Sequence, residues 1–104
     1  MRWIVAVLAL LAAEAQAQKV EQQVAAGRAA AERWCQECHL IGAAGDRASD
    51  MAPPFAALAA NPEKTAGVLT AFLAEPHPPM PPLTLTRQDI DSLVAYIRSL
   101  ARRK

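Results

Sequence analysis

The sequence predicts an all-α domain of three or more helices, and three observations carry that expectation. Apolar residues recur at helical spacing in three separate segments. No segment alternates with the period of a strand. The breaks between segments carry the Asn, Thr and Pro residues that start or stop helices. With 104 residues there is room for one small domain.

The first segment stands apart from that domain. Met1-Arg2 gives a positive start, Trp3 to Ala13 is an unbroken apolar run, and small residues follow at Ala13, Ala15 and Ala17. This is the layout of a secretory signal peptide, with cleavage expected after Ala17. The expected division is therefore a signal peptide over 1–17 and a mature domain over 18–104. The competing reading is an uncleaved anchor, but eleven apolar residues fall short of the roughly 20 that span a bilayer. No later segment is apolar enough, so no membrane span is expected after cleavage.

In the mature part, Val20, Val24, Gly27, Ala31 and Trp34 share a helical face, predicting a helix from 19 to about 35. Gly27 inside it costs about 1 kcal/mol against alanine, and a close helix–helix crossing would give it a purpose. Residues 42–50 read as a polar loop, and Pro53-Pro54 stops any helix there. Asn61-Pro62 reads as a second start, with Asn at the cap and Pro at the first helical position. Val68, Leu69, Phe72 and Leu73 would form its buried face and Pro76 its end. Residues 76–82 hold five prolines around His77 and Met80, a segment with little conformational freedom. Thr86 then caps a last helix, with Asp89 approximating a capping box and Ile90, Leu93, Val94, Ile97 and Leu100 along one side.

Composition narrows the function. A formal net charge of +1 gives no reason to expect nucleic acid as a partner. Arg98, Arg102, Arg103 and Lys104 make a basic helix end of the ordinary, solvated kind. The 53% hydrophobic content is inflated by the leader and by alanines, which bury little area each. A domain this small needs a disulfide, a metal or a cofactor to complete its core.

Cys35-Gln36-Glu37-Cys38-His39 supplies the answer, because C-x-x-C-H is the attachment signature of c-type haem. Two thiols at this spacing can add to two vinyl groups along one porphyrin edge, and the adjacent histidine reaches the iron from one face. Export fits, since bacterial haem attachment takes place outside the cytoplasm. A zinc site would need about four ligands, and only His77 offers a further one. A thioredoxin-like redox pair needs a βαβ context that is absent. A Cys35–Cys38 disulfide would close a ring too small to staple anything.

Met80, 41 residues after His39, is the expected second axial ligand. The surrounding prolines hold a thioether where a weak ligand must stay, and Met/His ligation raises the potential of an electron carrier. Met51 lies too close to Pro53-Pro54 and to His39. His77 is the rival, since imidazole binds ferric iron more tightly than a thioether does.

These features together resemble class I cytochrome c over essentially the whole mature chain. The matches are the helix running into C-x-x-C-H, the Ala52-Pro53-Pro54-Phe55 stretch, the late methionine in a Pro-rich loop, and the final helix. The resemblance implies a cytochrome c fold with helices packed around one covalently bound haem c. It implies that Gly27 packs against the Leu93-Val94-Ala95-Tyr96-Ile97 face. It also implies that the Pro53 carbonyl accepts a hydrogen bond from the ligating histidine. Ala31 departs from the pattern, which often has an aromatic residue there, and Trp34 is the candidate to compensate. The implied function is periplasmic one-electron transfer between a redox donor and an acceptor, not enzymatic catalysis. The alternative is a cytochrome subunit stably bound to a periplasmic oxidoreductase.

Overall fold

Alanine, leucine, glutamine and glutamate dominate the first third of the chain, and no proline interrupts them before Pro53. Such residues are strong helix formers. In the computed structural model, which describes residues 2–42, 52–75, 80 and 83–102, they form one continuous helix α1 (Arg2–Trp34). It is followed by α2 (Phe55–Ala60), α3 (Ala66–Ala74), α4 (Arg87–Ser99) and a 3-10 turn, Leu100–Arg102. No strand occurs among the described residues. Most of the expected 42–50 loop, Met51, and His77 with its flanking prolines lie outside the described residues.

The helix expected to begin at residue 19 thus starts at Arg2 instead. At about 1.5 Å per residue it runs for about 50 Å. Its first half is exposed throughout, and Trp3 is 84% exposed. Among the described residues α1 is the one helix long and apolar enough to cross a membrane. The alanine-rich stretch beyond Ala13 extends the apolar length past the run read from sequence alone.

The second half of α1 packs along α4, the most extensive pairing between elements. The buried positions are Gly27, Ala31 and, just past the helix end, Cys35, spaced i, i+4, i+8 along one stripe. That stripe passes by two residues expected on it. Val20 is about half exposed, and Trp34 is 43% exposed. Trp34 therefore does not compensate for Ala31, which is itself fully buried. At Gly27 the backbones come so close that a Cβ would strike the Ser92 carbonyl oxygen, with Ser92 C 2.6 Å and Tyr96 Cβ 2.7 Å away. The glycine's purpose is this crossing.

Helix α4 forms as its sequence requires. The Thr86 hydroxyl accepts from the Asp89 amide at 3.0 Å, and the Asp89 carboxylate accepts from the Thr86 amide at 3.0 Å. This closes a full capping box with aspartate in the usual glutamate place. Ile90, Leu93, Val94, Ile97 and Leu100 are all buried, joined by Phe55 and Leu69 from α2 and α3.

The middle of the chain differs from the expectation. Pro53-Pro54 leads directly into α2, with Pro54 at the cap position. Asn61 ends that helix instead of starting the next. Its side chain accepts from the Glu63 amide at 2.9 Å, and its carbonyl accepts from the Lys64 amide. Asparagine used in this way builds a turn. The cap of α3 falls to Thr65, whose hydroxyl accepts from the Val68 amide at 3.2 Å. Of the expected apolar face only Leu69 is buried and Leu73 half-buried, while Val68 and Phe72 are about two-fifths exposed.

Candidate functional site

Where α1 ends, its final turn tightens. The Cys35 and Gln36 amides both donate to the Ala31 carbonyl, and the Cys38 and His39 amides donate to the Cys35 carbonyl. These turns place Cys35, Cys38 and His39 in one compact bend. Cys35 is buried and Cys38 half-buried, and neither forms a disulfide. Burial first, and then the neighbouring Cys38, push the Cys35 thiol up to about 11. Among the described residues no cluster of three His, Cys, Asp or Glu side chains could hold a metal ion; His77, the further ligand a zinc site would need, lies outside them.

His39 is fixed from two sides. Its Nδ1 lies 2.5 Å from the Pro53 carbonyl oxygen. A carbonyl only accepts, so Nδ1 carries the proton and Nε2 keeps its lone pair. The imidazole also packs on Phe55, with ring centroids 5.1 Å apart, and Phe55 meets Tyr96 edge-on at 6.4 Å. The Tyr96 hydroxyl donates to the Ile41 carbonyl at 2.6 Å. The Phe55 amide donates to the Leu40 carbonyl. The segment after the C-x-x-C-H motif is thereby tied to both α2 and α4.

Several of these residues border an apolar cavity that opens in part to solvent. Cys35, His39, Pro53 and Met80 all line it, and Leu58, Leu69, Phe72, Leu93 and Ile97 are among its apolar walls. Four of the five site residues read from the sequence therefore meet at one cavity. Cys38 sits beside them in the same bend. Lys64 lines the cavity as well, and nothing in the sequence signalled it, because one lysine in a turn has no pattern.

The sequence pattern of the family described as cytochrome C oxidase, cbb3-type, subunit III matches residues 22–97. The chain belongs to this family of c-type cytochromes. Cytochrome c-552 of Bradyrhizobium diazoefficiens is 40% identical over 70 residues, which is 67% of this chain and 67% of the relative. No solved structure matches the chain.

The cytochrome therefore carries covalently bound haem c with its iron and serves as an electron carrier working with redox partners. The residues present fit that group. Two thiols stand three residues apart, a histidine presents a free Nε2, a thioether borders the same space, and the walls are apolar.

Proposed function

We propose that the protein is a periplasmic one-electron carrier whose haem is bonded to Cys35 and Cys38 and ligated by His39 and Met80. The observation that carries the reading is the His39 Nδ1 contact with the Pro53 carbonyl on the wall of the cavity that Met80 also lines. It fixes the tautomer and orients the ring, which strengthens a histidine as a metal ligand. Bound haem supplies the Fe(II)/Fe(III) couple. If His39 and Met80 both ligate the iron, no iron position would remain for a substrate. Outer-sphere electron transfer is then the chemistry available. The apolar walls of the cavity would face the haem, and the contacts of Phe55 with His39 and Tyr96 would help to hold the imidazole in place.

The exposed leader half of α1 supports removal of residues 1–17 on export. Mass spectrometry of the exported protein should find a chain beginning at Gln18 with one haem added. Retention of residues 1–17 would replace the signal peptide by an anchor. A haem-free mass from cells with a working attachment system would sink the covalent assignment.

The axial pair is tested separately. The ferric protein should show the weak near-infrared band of sulfur-to-iron charge transfer. Met80→Ala should abolish it, open the iron to cyanide or carbon monoxide, and lower the potential, because a thioether favours Fe(II). If Met80→Ala is silent while His77→Ala opens the iron, the ligation is bis-histidine instead. The family's description names an oxidase subunit, which favours a second reading, a stable subunit of an oxidoreductase. Co-purification of a catalytic partner with the native protein would decide for it.

A further inference from the structure

Haem brings two carboxylates with it, and the cavity offers them very little. Bonds to Cys35 and Cys38 take up the vinyl edge of the porphyrin, so the propionates leave from the opposite edge. The cavity walls are almost wholly apolar. His39 is engaged through Nδ1 by Pro53, and Lys64 is the one Lys, Arg, Asp or Glu side chain of the lining among the described residues. A carboxylate held against apolar walls without a partner is costly.

Lys64 is also placed for the task. It is half-buried, and the turn that holds it is pinned by its own amide donating to the Asn61 carbonyl. It borders two spaces at once: the apolar cavity, and an adjoining polar groove lined by Asn61, Thr65 and Arg98. A lysine at such a border can lay its alkyl stem on the apolar wall and keep its ammonium at the wet edge. A propionate leaving the cavity at that edge would meet the ammonium.

We infer that Lys64 is a cofactor-binding residue that pairs with a haem propionate and thereby raises the reduction potential. The inference rests on the covalent haem assignment proposed above. Positive charge beside a propionate disfavours the extra charge of the ferric state. It also holds the propionate ionised to lower pH, since an opposite charge within about 4–6 Å lowers a carboxyl pKa by roughly 1–3 units. Among the described residues the other charged groups nearby are Glu63 in the same turn, Arg98 from α4 on the groove, and the His39 imidazole, committed to Pro53.

Spectroelectrochemical titration of the haem-loaded protein against pH tests the pairing, with Lys64→Gln, Lys64→Arg and Arg98→Gln compared. Lys64→Gln should lower the potential at neutral pH. It should also move the redox-linked ionisation, seen as a falling potential with rising pH, upward by about 1 pH unit or more. Lys64→Arg should keep the native profile, and Arg98→Gln should shift it less. An unchanged potential in Lys64→Gln, or a lowered one with an unshifted pH profile, would overturn the pairing. NMR titration of the native protein gives a reading that needs no variant: one propionate should titrate well below its twin, and two ordinary propionates would overturn the inference. Retention of one covalent haem and of the sulfur-to-iron band in the variants shows that the haem assignment stands whatever the fate of Lys64.

Discussion

A Cys35→Ser, Cys38→Ser variant is expected to accumulate without haem and without a cooperative thermal melt. The reason lies in how little core the chain has of its own. The buried apolar set comprises α4 residues, single contributions from α2 and α3, and small or slender groups from the α1 side such as Ala31 and Cys35. Val68 and Phe72, large residues that could add to it, instead line the cavity and stay partly exposed. A small domain buries a small share of its surface, and so little of its stability is left once chain entropy is met. Haem bound to the folded chain alone adds its binding energy to the fold. Circular dichroism of the purified variant checks this, and native-like helix content with a cooperative melt would show that the polypeptide suffices by itself.

Gly27→Ala should destabilise the haem-loaded protein, and Gly27→Val should do so further. The added Cβ meets the Ser92 carbonyl and the Tyr96 Cβ. The Ser92 contact is with backbone inside a helix, so it cannot turn aside as a flexible side chain would. Two effects oppose each other here. Alanine improves helix propensity by about 1 kcal/mol, while overpacking costs typically about 1–3 kcal/mol and occasionally more. With backbone in the way, the larger cost should prevail, and the α1–α4 crossing must open. Because Tyr96 also holds the Ile41 carbonyl, the strain should reach the haem-binding segment. Denaturant titration measures the effect, and a midpoint equal to or above that of the native protein would mean the crossing relaxes freely.

How much was legible in the sequence varied with the kind of signal. The start and the buried face of α4 were readable, since both its cap and its apolar stripe are local patterns. Gly27 was readable because a glycine in a helix asks for a reason. The haem motif was readable because its chemistry dictates its spacing, and Pro53 came through the family resemblance. Asn61-Pro62 misled, because an asparagine that turns a chain and one that caps a helix look alike until the partner amide is known. Thr65, four residues later, held the real cap. Helix α2 was missed because six residues after a Pro-Pro pair are too short to show a period. Trp34 projects only about 20° round the helix from Gly27 and is 43% exposed all the same, so its place on the wheel did not settle its burial. Lys64 left no trace, since its importance depends wholly on which wall it borders.

The long first helix has a bearing on how the molecule matures. Its earliest side chain packed against the core is Val24. The proposed scissile bond after Ala17 lies almost two helical turns upstream, in a region where no side chain leans on the domain. A peptidase can unwind and cut there without disturbing a single core contact. If the leader is cleaved there, no core contact among the described residues is lost, and the domain's resistance to unfolding should be the same with residues 1–17 present or removed.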